Sequence, residues 1–152
     1  MLQHLKYLLI FITAISFLSA CNEDEFADWK HLNTKWLEEH ASDEGFKRTE
    51  SGLYYKIIHK SEGYHRPNLA SVIYVTYTGK LVDGTVFANA TNQDMYLYEK
   101  IAGWQEGLRL MRDGSHFIFY IPANLAYGEK GKGNVPPNSV LIYDIKLLQS
   151  YD

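Results

Sequence analysis

Residues 101–111 read Ile-Ala-Gly-Trp-Gln-Glu-Gly-Leu-Arg-Leu-Met, and the rest of the chain is organised around this stretch. Trp104, Leu108 and Met111 recur at the spacing of a single helix face. The pair Asp113-Gly114 predicts the end of the helix, because glycine readily adopts the left-handed conformation common at helix ends. The stretch therefore predicts one short helix with a single apolar face.

The segments on both sides of this helix have the pattern of strands. A lone short helix among strands must bury its apolar face against a sheet, so the sequence favours a sheet wrapped over one helix. Trp104 lies in the first turn, where its ring could either fill the core or form the floor of a pocket. From this stretch alone, the core is the favoured interpretation.

The predicted strands are recognised by two-residue alternation or by continuous β-branched and aromatic content. They cover residues 53–58, 71–78, 95–98, 116–121 and 141–147. An Asp-Gly pair at residues 83–84 predicts a tight turn between strands. The polar segment 88–94 and the segment 122–138, rich in glycine and proline, are predicted to be loops.

The first twenty residues predict a signal peptide. The apolar run at residues 7–20 has 14 residues, whereas a membrane span needs roughly 20. The sequence Leu-Ser-Ala-Cys at 18–21 resembles the lipobox of bacterial lipoproteins, and a polar run follows it. Cys21 is thus the predicted lipid attachment site, and the alternative is a secreted protein with an unmodified cysteine. The protein is expected in the bacterial cell envelope, anchored to a membrane and facing the periplasm or the cell exterior.

Residues 21–50 predict a lipid-anchored segment that contains one amphipathic helix and a linker. Phe26, Trp29, Leu32 and Trp36 recur at three- and four-residue steps, which indicates a helix over about residues 25–40. The helix could pack on its own domain, which is slightly favoured, or form a homodimer with a second copy. The main domain is predicted at residues 51–152.

Several kinds of chemistry find no support in the sequence. The net charge is −3 and no basic patch occurs, which argues against nucleic acid as a partner. The six histidines and one cysteine lack the spacing of a zinc motif. The glycines at 128–133 lack the Gly-Lys-Ser/Thr ending of a phosphate loop, and no serine lies in a nucleophile elbow. No metal and no cofactor are predicted.

Aromatic residues near loops and strand ends carry the positive signal, together with five ordered motifs around them. The motifs are Val-Thr-Tyr-Thr-Gly at 75–79, Leu-Val-Asp-Gly-Thr-Val-Phe at 81–87, Gly-Trp-Gln-Glu-Gly at 103–107, Leu-Ala-Tyr-Gly at 125–128 and Val-Pro-Pro-Asn-Ser-Val-Leu-Ile-Tyr-Asp at 135–144. In order and spacing they resemble the FKBP-type peptidyl-prolyl isomerases over about residues 50–150, here as a bacterial lipoprotein member.

The resemblance implies an α+β fold, in which an antiparallel half-barrel of five or six strands surrounds one short helix. It also implies roles for individual residues. A substrate proline would lie on Trp104, Ile101 would donate its backbone N–H to a substrate carbonyl, and Val135 would cover the site. The remaining site aromatics would be the walls and a hydroxyl donor: Tyr77, Phe87, Tyr143 and Tyr127.

The sequence departs from the family pattern near this site. Ala88 stands where active members usually have aspartate, and residues 88–100 contain no arginine to pair with one. Lys100 replaces the usual valine before Ile101. The aromatic residue that the family places before the helix has no clear counterpart, although Met95 or Tyr96 could substitute.

Three hypotheses follow for function. The first is a lipid-anchored isomerase that acts on proline-containing polypeptides and helps extracytoplasmic proteins to fold. The second is a chaperone module that binds proline peptides with weak or no turnover, which Ala88 favours. The third is a structural lipoprotein, which predicts that Trp104 is buried with no cavity beside it.

Overall fold

The computed structural model describes residues 26–152. The predicted signal peptide and Cys21 lie outside the described residues. No helix within the described range is long and apolar enough to cross a membrane.

In the part of the chain that the structure describes, six antiparallel strands form one sheet, which confirms the predicted fold class. The strands are β1 (Lys47–Arg48), β2 (Tyr54–His59), β3 (Val72–Lys80), β4 (Val86–Tyr96), β5 (His116–Ile121) and β6 (Leu141–Tyr151). Their order across the sheet is β1-β2-β5-β6-β3-β4, so β4 forms one edge and the two-residue β1 forms the other. Strands distant in sequence are therefore neighbours, and the ends of β3, β4 and β6 come close together.

Among residues 26–152, two α-helices accompany the sheet, α1 (Ala27–His40) and α2 (Ala102–Leu108). Short 3₁₀ turns lie at Leu97–Glu99, Ala123–Leu125 and Gly128–Lys130. Helix α2 packs closely on β5, where its two glycines permit the contact. A Cβ on Gly103 would collide with the side chain of Ile121, and one on Gly107 would collide with Phe119.

The predicted end of α2 at Asp113-Gly114 is wrong, because the helix ends at Leu108. The N–H groups of Leu110 and Met111 bond to carbonyls three residues back, which tightens the chain out of the α-helical path. Gly114 does have a positive φ of 86°, but in the turn before β5. The prediction of a buried apolar face is nevertheless correct, since Trp104, Leu108 and Met111 are all buried.

The predicted loop at residues 88–94 is also wrong, because these residues belong to β4. They pair with β3 along its length, with shifts of register that bulges accommodate. Their polar character reflects the position of β4 at the sheet edge, where most of its side chains are exposed. The strand predicted at 95–98 is instead the end of β4 followed by a 3₁₀ turn.

Helix α1 packs on its own domain. Trp29 donates from Nε1 to Ser139 Oγ at 2.9 Å, and Asn33 Oδ1 accepts the Val140 N–H at 2.7 Å. Trp36 stacks on Tyr120 with ring centroids 5.6 Å apart. The packed face therefore runs through Trp29, Asn33 and Trp36. Phe26 and Leu32, predicted on that face, remain 38% and 45% exposed, as the two bonds rotate them outward.

The segment predicted as a polar linker, residues 41–50, contributes to the sheet. Its residues Lys47 and Arg48 form β1 and pair with β2. The Phe46 and Tyr120 rings stack with their centroids 4.5 Å apart. The Lys56 ammonium lies 4.3 Å from the centre of the Phe46 ring. Part of this segment is thus held by tertiary contacts.

Candidate functional site

A cavity of about 430 Å³ lies beside the first turn of α2. All seven residues predicted in the site line it. They come from β3, β4, α2, β6 and two loops: Tyr77, Phe87, Ile101, Trp104, Tyr127, Val135 and Tyr143. The structure thus brings together side chains that are up to 66 residues apart in sequence. Of the predicted site residues only Cys21 lies outside the described range.

Trp104 belongs both to the core and to the cavity. It is only 3% exposed. Its indole lies edge-to-face with Tyr77 and with Tyr143, at centroid distances of 5.0 and 5.1 Å. Among the residues that the structure describes, Trp104 Nε1 is the only buried side-chain nitrogen or oxygen without a hydrogen-bond partner. The hypothesis of a structural lipoprotein predicts no cavity here, and the structure contradicts it.

Gly79 allows two walls of the cavity to meet. Phe87 and Tyr143 are edge-to-face with centroids 5.4 Å apart. A Cβ on Gly79 would lie 2.8 Å from a ring atom of each, which is shorter than van der Waals contact. The absence of a side chain at this position of β3 is therefore a condition for the observed packing of the walls.

The long loop between β5 and β6 supplies Tyr127 and Val135. Val135 and Lys132 exchange backbone hydrogen bonds of 2.9 and 3.0 Å, and the Asn138 N–H donates to the Gly128 carbonyl at 2.8 Å. Gly131 has a φ of 65°, and a side chain there would collide with the Val135 carbonyl. These bonds hold the loop over the cavity without regular secondary structure.

Ile101 precedes the first residue of α2. Its carbonyl accepts the N–H groups of Trp104 and Gln105, whereas its own N–H donates no hydrogen bond to any residue in the described part of the chain. Gln105 donates from Nε2 to the carbonyls of Tyr98 and Lys100, at 2.9 and 2.8 Å. Gln105 therefore holds the backbone that leads to Ile101, a contact that the sequence does not reveal because it depends on the fold.

Met95 and Tyr96, the two candidates to substitute for the family's aromatic residue, differ in position. Met95 lines the cavity, whereas Tyr96 lies on the other face of β4 and is 50% exposed. Ala88 also lines the cavity. Other lining residues were not assigned to the site from the sequence: Glu99, Lys100, Lys132, Gly133 and Asn134. Their closeness in sequence to Ile101 and Val135 is the signal that could have found them.

The cavity raises the pKa of two of its phenols, Tyr143 and Tyr77. Burial raises the pKa of Tyr143, and the neighbouring hydroxyls of Tyr127 and Tyr77 raise it further. Burial, followed by the hydroxyl of Tyr127, also raises the pKa of Tyr77. At neutral pH these groups are neutral hydrogen-bonding groups, not bases or nucleophiles. No set of three metal-ligating side chains occurs among residues 26–152. The arrangement can thus bind, orient and desolvate a ligand.

Comparison with known proteins gives a consistent result. The model of the family described as "FKBP-type peptidyl-prolyl cis-trans isomerase" matches residues 63–148. A probable FKBP-type isomerase FkpA of Neisseria meningitidis is 42% identical over 125 residues, which are 79% of this chain and 46% of the relative. An FKBP-type 22 kDa isomerase of Escherichia coli is 43% identical over 120 residues, 76% of this chain and 58% of the relative.

A solved structure shares most of the fold. The crystal structure of FkpA from Escherichia coli superposes with a TM-score of 0.81 at 31% identity, covering 97% of this chain and 72% of that one. The chain spans about half the length of the curated relatives named above. From the family model and these identities, we conclude that the chain belongs to the FKBP-type peptidyl-prolyl cis-trans isomerase family.

Proposed function

We propose that this protein catalyses the cis-trans isomerisation of X–Pro bonds in extracytoplasmic polypeptides and so helps them to fold. One observation carries the proposal. Five aromatic side chains from separate segments line a single cavity over the first turn of α2, next to the N–H of Ile101. Membership of the isomerase family supports the same activity.

The chemistry needs neither a nucleophile nor a metal. Rotation about a peptide bond faces a barrier of roughly 18–20 kcal/mol, because resonance must be broken. In the twisted state the nitrogen is less delocalised and the carbonyl is less polar. A dry, apolar cavity favours this state over the planar, better solvated one. Each ~1.4 kcal/mol of differential stabilisation accelerates the rotation tenfold.

The proposed roles follow from the position of each group. The proline ring lies on Trp104, and Tyr77, Phe87 and Tyr143 form the walls. The Ile101 N–H donates to one substrate carbonyl and the Tyr127 hydroxyl donates to another. Val135, 5% exposed in the loop above, covers the ring. These contacts hold the proline side of the bond while the other side rotates.

A second function, the binding of proline peptides with weak or no turnover, is favoured by one observation. Ala88 lines the cavity where active members of the family usually have aspartate, so this cavity lacks that carboxylate. A chaperone module of this kind would keep affinity for proline peptides and lose most of the acceleration.

Two substitutions test the proposed isomerase. Tyr127→Phe removes only a hydroxyl, and we expect a modest loss of kcat/KM, because a neutral hydrogen bond contributes about 0.5–1.5 kcal/mol net. Phe87→Ala removes a wall and should reduce kcat/KM more. Tyr98→Phe, on an exposed ring outside the cavity lining, is the matched control. Exchange NMR on a proline tetrapeptide measures each rate directly.

Ala88→Asp separates the two functions. If the missing carboxylate limits turnover, this variant accelerates isomerisation more than the wild type does. A wild type that binds the peptide without accelerating its isomerisation, and that Ala88→Asp does not rescue, would disprove the isomerase and leave the binding module.

We also propose that Cys21 carries a lipid and anchors the protein to a membrane of the bacterial cell envelope. The support is the lipobox-like sequence at 18–21. Cys21→Ala should leave the protein unprocessed or move it to the soluble fraction. A variant that fractionates with membranes as the wild type does would contradict the anchor.

A homodimer through α1 is the second arrangement open to this helix. The support is the exposed apolar pair Phe26 and Leu32, which the packing of α1 on its domain leaves uncovered. If the exposed Leu32 contacts a second copy, Leu32→Lys halves the mass measured by light scattering. A wild type that is already monomeric would exclude the dimer.

A further inference from the structure

The lining of the cavity carries a net positive charge. Lys100 and Lys132 line it from separate segments, one before α2 and one in the long loop. Among the described residues Glu99 is the only carboxylate in the lining, so the two lysines leave an excess of one positive charge. Ala88, which lines the cavity from β4, is uncharged and adds no carboxylate that could balance the lysines.

Neither lysine is neutralised by a neighbour. Within residues 26–152, all the ion pairs involve other residues. The Lys132 ammonium lies 5.5 Å from the centre of the Tyr127 ring, which places it beside a group that the proposed mechanism uses. The backbone of Lys100 is fixed by the bond from Gln105 to its carbonyl, directly before the Ile101 N–H. Lys132 is thus placed by its side chain beside Tyr127, and Lys100 by its backbone beside Ile101, and both residues line the cavity.

We propose that Lys100 and Lys132 make this site select X–Pro sequences in which glutamate or aspartate is next to the proline. The proposal rests on the isomerase function proposed above and adds the substrate class. A proline seated on Trp104 brings its neighbouring residues to the two lysines of the lining, where a carboxylate meets both ammonium groups. A neutral neighbour gains nothing from them, and a lysine neighbour is repelled.

The expected preference is moderate and depends on salt. Both lysine side chains are at least partly exposed, and exposed ion pairs contribute little individually. Two cations acting on one carboxylate should raise kcat/KM about threefold to tenfold over a neutral isostere at low salt. The preference should decline as added salt shortens the screening length.

The test compares peptides that differ only in charge. Exchange NMR measures kcat/KM for Ala-Glu-Pro-Phe and Ala-Gln-Pro-Phe, and for a second pair with the Glu or Gln after the proline. The variants are Lys100→Gln, Lys132→Gln and Lys132→Glu, with Lys60→Gln as a control at an exposed position outside the lining. The Glu-to-Gln ratio cancels any effect of a variant on turnover in general.

We expect a ratio above one for at least one peptide pair, which declines in each lysine-to-glutamine variant and is unchanged in Lys60→Gln. Lys132→Glu should lower the Glu-to-Gln ratio further, to one or below, because it replaces one cation of the lining by an anion. Equal rates for both peptides of each pair would overturn the specificity and leave the isomerase standing. No acceleration of any peptide would overturn both proposals.

Discussion

Replacement of Trp104 by alanine is expected to remove nearly all isomerase activity and to reduce the free energy of unfolding by about 3–5 kcal/mol. The ring is buried and contacts both Tyr77 and Tyr143 edge-to-face, so its loss leaves a void next to the existing cavity. The proline of the substrate would lose its floor, and the two walls would lose the surface that orients them.

Leu108→Ala is the matched control, because Leu108 is on the same helix and fully buried but does not line the cavity. It should reduce the free energy of unfolding by about 2–5 kcal/mol. When kcat/KM is measured where both variants are folded, as judged by circular dichroism, Leu108→Ala should keep its activity and Trp104→Ala should not. Equal activity in the two variants would contradict the role of Trp104 as the floor of the site.

Asn33→Ala is expected to have the second largest effect, through the contact between α1 and the loop after β5. The change leaves the buried Val140 N–H without its partner, which destabilises the fold by about 1–3 kcal/mol. Helix α1 also binds the loop through Trp29, whose indole N–H donates to the Ser139 hydroxyl. That hydroxyl in turn donates to the Pro136 carbonyl at 2.7 Å. Release of α1 should therefore loosen the segment around Val135 and lower isomerase activity.

Thr34→Ala provides the control on the same helix, since Thr34 is exposed and bonds only to the Lys30 carbonyl within the described chain. Thermal unfolding should show a lower Tm for Asn33→Ala than for Thr34→Ala, and KM should rise only for Asn33→Ala. An unchanged KM, together with a reduced Tm, would limit α1 to a stabilising role without influence on the site.

The main elements of the fold could be predicted because their signals are local. The spacing of Trp104, Leu108 and Met111 identifies a buried helix face, whereas the alternation in 53–58 and 141–147 identifies strands. The aromatic cluster could be predicted only through the ordered motifs of the family. Strands β3 and β6 are hydrogen-bonded neighbours in the sheet. Nothing in the local sequence around Tyr77 or Tyr143 indicates this pairing.

The errors arose where tertiary contacts override local preference. Residues 88–94 look like a loop because an edge strand keeps polar side chains, and its ladder with β3 is invisible in the sequence. The end of α2 at Leu108 depends on backbone bonds that lead the chain toward β5. Asn33 was missed because its partner is 107 residues away and because an asparagine interrupts the apolar pattern of the helix.

The most direct measurement is isotope-filtered NOE spectroscopy on the labelled protein with an unlabelled X–Pro peptide, alongside exchange NMR on the same sample. We expect NOEs from the proline ring protons to the indole of Trp104 and to the rings of Tyr77 and Phe87, together with accelerated exchange between cis and trans peptide. Proline NOEs that fall only on residues outside the cavity, or exchange at the rate of the free peptide, would contradict the proposal that this aromatic cavity is where X–Pro bonds isomerise.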